Sequence, residues 1–351
     1  MPQYSAMQRV VAALSHEEAD RVPVILPLTL HGAKEMGLSI KDYFSKAEHV
    51  VEGQIRLMQK YHSDAYIGFL HAPLEIAAFG GEVIYVEDGP PNSGEPFLRK
   101  HDDILSMQVP DVQTNPHLRI TLDAITQLKA IATDQIPIVG VVMSPFSLPV
   151  MQMGFDKYLD LIYDHRDLFW KLMEKNIEFC RAWTDAQLAA GATAIVYFDP
   201  VSSPTIIPPE LYLETGFRVA QRIIPQTKGA VITHMASGRC LPILDDLIQT
   251  GTAGIGVSAE EDIAEIKGRC RGKVTLFGNL NAIEMRNWDA QTMEHKVRQL
   301  IQKAGSGGGF ILMDNHGELP WQISDDTIYA IVAAVHKWGQ YPIETPEQRF
   351  G

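Results

Sequence analysis

Five side chains able to do acid–base or metal chemistry follow directly on short apolar runs: His71, Asp199, His234, Asn279 and His316. Imidazole is a common zinc ligand and also the ordinary acid/base group at neutral pH. His234 and His316, the sharpest pair, therefore read as zinc ligands or as proton carriers. His71 offers the same choice, Asp199 adds a carboxylate for a metal or a substrate, and Asn279 a neutral hydrogen-bonding group. Spacing alone does not choose between these roles, because the chain contains no HExxH and no CxxC. Met143, Met151 and Met153 invite a soft-metal or corrinoid-contact reading, but flexible thioethers more often fill gaps in a core or pocket, and that reading is preferred.

The runs that carry these residues recur with a rhythm. Val22 to Leu26, Ala65 to Phe69, Ile138 to Val142, Ala194 to Phe198, Ala230 to Thr233, Gly254 to Val257, Val274 to Phe277 and Phe310 to Met313 are short, apolar and often β-branched. Nearly continuous apolarity suits strands covered on both faces, as in a parallel sheet. Helical spacing fills the intervals. Phe155 to Ala190 is long enough for two helices broken near Asp164-His165. Leu241 to Gln249, Ala259 to Lys267, Ala290 to Ala304 and Thr327 to Trp338 supply others. Glu82 to Val86 alternates and ends at Asp88-Gly89-Pro90-Pro91, an excursion with β character.

Eight strand–helix units with right-handed crossovers close most simply into a (β/α)8 TIM barrel. An open doubly wound sheet would place a glycine-rich phosphate loop after its first strand, and none is present. The expectation is a single barrel domain over residues 1–351, with residues 1–20 as an N-terminal helical extension packed outside it. In such a barrel the chemistry gathers where strands end, which is where the five side chains fall.

Composition bounds the partners. The chain has 351 residues, 46% hydrophobic, and 30 Lys+Arg against 43 Asp+Glu give a net charge of −13. A core of ample size is affordable, and the acidic balance argues against a nucleic-acid partner, which needs a basic footprint. No apolar run reaches the length of a membrane span. Three cysteines are too few for a disulfide framework in a chain this long, which points to the cytoplasm.

The segments DRVPVILPLTLHGAKEMGLS, SPFSLPVMQMGFDKYL, DHRDLFWKLMEK, AQLAAGATAIVYFDP, ITHMASGRCLPILDDLIQTGTAGIGV, KVTLFGNLNAIEM and GFILMDNHGELPWQISDDTIYAIVAAV cover most of residues 20–337 in order. Together they resemble the uroporphyrinogen decarboxylase superfamily, and within it the corrinoid-linked methyltransferases. The resemblance implies the same (β/α)8 barrel. It departs from both main activities. Aligned on AAFGGEV, His71 stands where the decarboxylases carry the aspartate that grips the tetrapyrrole, and their arginine-bearing motif is absent around Leu28 to Gly32. Against the thiol-directed methyltransferases, whose zinc is held by a His-x-Cys motif and a later Cys, His234 matches the first ligand. Ala236 occupies the Cys position and His316 the later one, while Cys240 falls where a structural role is expected.

By this resemblance His234 and His316 would hold zinc, with Asp199 the nearest third ligand or a substrate anchor. Exchanging thiolate for imidazole leaves a harder metal, better matched to a methyl-bearing oxygen than to a thiol. The implied function is a corrinoid-protein-dependent methyltransferase, the substrate:corrinoid component of an O-demethylating system. Its partners would be a separate corrinoid (cobalamin) protein and a small methylated substrate. Three alternatives remain on the same barrel: a decarboxylase-like lyase using His71 and His316 as proton donors, a methylcorrinoid:thiol methyltransferase, and a non-catalytic tetrapyrrole- or corrinoid-binding barrel.

Overall fold

The computed structural model describes residues 4–343. Its sheet is built from the apolar runs: β1 (Tyr66–Ile67), β4 (Ile138–Met143), β5 (Ala194–Phe198), β6 (Ala230–His234), β7 (Gly254–Gly256), β8 (Thr275–Leu280) and β9 (Phe310–Asp314). Between the first two lies an antiparallel ribbon, β2 (Val83–Ile84) with β3 (Asn92–Ser93), where the sequence predicted a β excursion. The seven strands pair in parallel in simple chain order, β1-β4-β5-β6-β7-β8-β9. A doubly wound sheet reverses its strand order at a switch point, and this one does not. The architecture is a TIM-barrel-like α/β fold.

The first apolar run is the one that does not form a regular strand. Pro23 within it and Pro27 directly after it each lack a backbone donor, so no continuous ladder can form. It still bridges the gap between the ends of the sheet. Ile25 donates to the Leu312 carbonyl at 2.9 Å, Leu312 donates to Pro23 at 2.9 Å, and on the other side Asp64 donates to Val24 at 2.7 Å. The Asp64 carboxylate reinforces this closure. It accepts from Arg21 Nη1 at 2.6 Å, from Arg9 Nη1 at 3.1 Å and from the Val24 amide at 2.9 Å.

Helices fall between the strands largely where periodicity placed them. Phe155–Asp164 and Arg166–Ala190 meet at His165, Ala290–Ala304 runs over the predicted span, and Asp325–Trp338 begins two residues early on its Ser324 cap. The predicted helix over residues 259–267 instead spans Ile263–Cys270, because Asp262 caps it by accepting from the Ala264 amide.

The N-terminal segment differs from expectation. Helix α1 (Ala6–Leu14) opens on a reciprocal Ser5–Gln8 capping box. It does not lie on the outside of the barrel. Val10 and Ala13 join a single apolar cluster with Ile25, Ile67, Ile232 and Ile311, and Thr275 Oγ1 donates to the Ala13 carbonyl. The helix therefore floors the end of the barrel at which strands begin. Its apolar stripe would otherwise face water, and the open mouth below the strands supplies the partner surface.

Candidate functional site at the barrel mouth

Strand alternation decides which side chains reach the lumen. Val139 and Val141 of β4, Val196 and Phe198 of β5, Ile232 and His234 of β6, and Met313 of β9 line a cavity of about 410 Å3 that runs from α1 to the strand ends. Barrel interiors are ordinarily filled by layers of side chains. Here small and β-branched residues leave room. Most polar groups of the cavity gather near the strand ends: His71, His234, His316, Thr29 and Glu318, with the ribbon residues Asn92 and Ser93 beside them, while Thr193 lies at the other end, just before β5. Among the described residues, no lysine and no arginine line the cavity. Met143 and Met151 line it as well, and Met153 is fully buried.

His234 is held most tightly. Its ring stacks on Phe198 with centroids 5.7 Å apart and planes 16° apart. Gly256 makes the room, since a Cβ there would stand 2.4 Å from His234 Cδ2. The Ala236 amide donates to Nδ1 at 3.0 Å, so the proton of the neutral ring resides on Nε2. That Nε2 is buried with no protein partner. Burial, aided by nearby His316, pushes the pKa down to about 3, which keeps the ring neutral at physiological pH.

His71 is equally buried, between Phe44 and Tyr85, whose hydroxyl lies 3.3 Å from Nε2. Burial lowers its pKa to about 3, and Nδ1 has no partner. His316 is exposed on the rim, with Nδ1 3.3 Å from Ser237 Oγ. The loop that carries it is shaped by Asp314, which accepts from the His316 and Gly317 amides at 2.7 and 2.8 Å.

The structure thus brings His71, His234 and His316 to one cavity and leaves the other two expected residues outside its lining. Asp199 follows Phe198, and since Phe198 faces the lumen, Asp199 faces the helices. Its carboxylate accepts from the hydroxyls of Ser144 at 2.5 Å, Ser147 at 2.7 Å and Ser202 at 2.5 Å. Both oxygens are thus engaged by serines from the segments that follow β4 and β5, and Asp199 does not border the cavity. Asn279 donates its amide to the Ser258 carbonyl at 2.8 Å and does not border the cavity. Cys240 is buried outside the cavity lining, with its thiol donating to Glu261 Oε2 at 3.4 Å.

Glu318 was not anticipated. It borders the cavity two residues beyond His316, and Thr29 Oγ1 donates to its Oε1 at 2.5 Å. Burial, together with the charge of Asp314 and despite the Thr29 bond, pushes its pKa up to about 7. The signal was present in DNHGEL: a carboxylate at i+2 from a strand-end histidine shares its side of the loop.

A zinc ion on His234 and His316 can be tested against these donors. A histidine that binds metal through one nitrogen normally donates its other N–H to an acceptor. His234 does the reverse, because Nδ1 accepts a backbone N–H. Among the described residues, the one group of three or more His, Cys, Asp or Glu with ligand atoms close enough for a metal is His101, Asp160 and His165, none of which lines the cavity. The donors at the mouth do not fit a zinc ion.

Comparison with known proteins agrees with the fold. The family model described as uroporphyrinogen decarboxylase (URO-D) matches residues 5–338. The uroporphyrinogen decarboxylase of Thioalkalivibrio sulfidiphilus is 26% identical over 94% of this chain and 97% of its own length. That of Idiomarina loihiensis is 24% identical over 94% and 95%. Among solved structures, a methyltransferase from Methanosarcina mazei superposes with a TM-score of 0.86 at 19% identity, covering 95% of this chain and 99% of that one. With a family model spanning nearly its whole length, the chain belongs to the uroporphyrinogen decarboxylase family.

Proposed function

We propose that this member of the family is a corrinoid-protein-dependent methyltransferase that removes a methyl group from the oxygen of a largely apolar donor. The observation that carries the reading is the cavity, whose histidines and Glu318 sit near the strand ends above largely apolar walls and which, among the described residues, has no lysine or arginine in its lining. Uroporphyrinogen bears many carboxylates, and binding it without lysine or arginine would leave those charges desolvated and unpaired. A thiol acceptor finds no cysteine in the lining to share a soft metal with. An aryl methyl ether suits the walls, and a cavity of about 410 Å3 is far larger than methanol or a methylamine requires.

A reduced corrinoid on a separate protein supplies the nucleophile that accepts the methyl group. The chain's own residues bind and orient the donor. The lumen takes the apolar body and leaves the methoxy group at the strand ends. The Nε2–H of His234 donates to the ether oxygen, and the bond strengthens as the methyl–oxygen bond breaks and its electron pair stays on oxygen. Phe198 and Gly256 fix the ring for this, so no reorganisation is needed as charge develops.

The experiment is a donor panel of aryl methyl ethers, methanol, methylamines and methyl thioethers, each incubated with the chain and a reduced corrinoid protein. Methylcorrinoid formation from the aryl ethers is the expected outcome. Turnover of sulfur or nitrogen donors alone refutes the choice of oxygen, and coproporphyrinogen made from uroporphyrinogen refutes the methyltransferase reading itself.

A further inference from the structure

We propose that His101, Asp160 and His165 form a second, structural site for a zinc-type divalent cation, outside the cavity, that fastens the segment following the β2–β3 ribbon to the joint between two helices. The three side chains come from separate places in the chain. His165 ends the helix Phe155–Asp164 and begins Arg166–Ala190, with φ −129° and ψ 53°. That break in the helix turns its ring back over Asp160, five residues earlier. His165 Nε2 stands 3.6 Å from Asp160 Oδ2, and His101 Nε2, from the turn after the ribbon, stands 3.4 Å from the same oxygen.

These separations are those a bound ion would impose. A tetrahedral zinc with arms of about 2.0–2.1 Å holds its ligand atoms roughly 3.4 Å apart. All three ligand atoms lie within 4.8 Å of one another, and the two imidazoles meet at 4.7 Å between centroids with planes 57° apart. The one competing bond is from His101 Nε2 to the Lys157 carbonyl at 3.2 Å. Side chains of Asp160 and His165 are 49% and 46% exposed, which leaves a fourth position for water.

Two imidazoles and one carboxylate select zinc, copper or nickel over magnesium and calcium, which prefer all-oxygen shells. Without an ion the cluster is a partly exposed group of polar side chains, of the kind that contributes little to stability. With one, residues 94–101 become a strap. They continue from the ribbon, whose Asn92 and Ser93 border the cavity, so an ion here steadies a segment joined to the cavity wall without touching the reacting groups. The proposal does not depend on the methyltransferase reading.

The test begins with chelator-treated protein titrated calorimetrically with zinc chloride, with cobalt(II) absorption as a second probe of coordination. Hydrogen exchange of residues 94–106 reports the strap. Wild type is expected to bind about one equivalent, and His101→Ala and His165→Ala to weaken it by ~30-fold or more. His234→Ala is expected to bind as wild type does, and zinc to slow exchange over residues 94–106 only where the triad is intact. Absence of binding to wild type overturns the proposal, as does wild-type affinity in either triad variant or loss of the ion in His234→Ala.

Discussion

Glu75 offers the sharpest quantitative test of the structure. It lies in the short helix Pro73–Ala78 beneath His71, fully enclosed, with Oε1 accepting from the Met143 amide at 3.0 Å and Oε2 without a partner. Burial raises its pKa from an ordinary 4.5 to about 8, so the folded chain carries it as a neutral acid at pH 7. The unfolded chain ionises it near 4.5. From there to about pH 8 the unfolded state binds fewer protons than the folded one, so stability falls as pH rises. Stability from this group is complete below pH 4.5 and is lost as pH climbs through 8. Between pH 5 and pH 8 the linkage is worth about 3 kcal/mol. Glu75→Gln keeps the oxygen that faces Met143 and cannot ionise. Denaturant unfolding of both proteins at the two pH values, followed by tryptophan fluorescence, measures the difference directly. The variant is expected to match wild type within ~1 kcal/mol at pH 5 and to exceed it by about 4 kcal/mol at pH 8. A gap that does not change with pH refutes the protonated buried carboxyl.

Other variants probe single contacts. Gly256→Ala places a methyl 2.4 Å from His234 Cδ2, and the ring cannot retreat from Phe198. Turnover is expected to fall by ~100-fold at a stability cost of about 1–3 kcal/mol, read by steady-state rates and unfolding midpoints. Asp199→Ala strands three serine hydroxyls and is expected to cost about 3 kcal/mol while leaving KM nearly unchanged; a KM raised more than tenfold at unaltered stability would return Asp199 to the substrate. Asp64→Ala leaves Arg9 and Arg21 buried without their shared carboxylate, and chemical denaturation is expected to show a loss of about 3–5 kcal/mol.

What the sequence made legible was what depends on local pattern. The strand runs, the helix break at His165 and the exclusion of a doubly wound sheet followed from apolar period and from the missing glycine loop. The irregular first run was readable too, since Pro23 and Pro27 were in view, but apolarity outweighed the lost donors. The docking of α1 was not legible, because an amphipathic stripe does not say which surface it covers. At the mouth, strand ends located His71, His234 and His316. Parity along β5 could have excluded Asp199, given that Phe198 faces inward. The serines that hold its carboxylate come from two different loops, and only the fold joins them. The tautomer of His234 is set by a backbone amide two residues on, at Ala236 with φ 51°, a detail of loop geometry that residue types do not carry.

The central claim is that a methyl group leaves an oxygen in this cavity for a corrinoid held by another protein. Its most direct test uses an aryl ether with an isotopically labelled methyl group, incubated with the purified chain and a reduced corrinoid protein, with uroporphyrinogen in a parallel reaction. The expected result is label on the corrinoid cobalt, an equal amount of free phenol, and uroporphyrinogen left intact. Phenol release without labelled corrinoid, or decarboxylation of uroporphyrinogen in the parallel reaction, would contradict it.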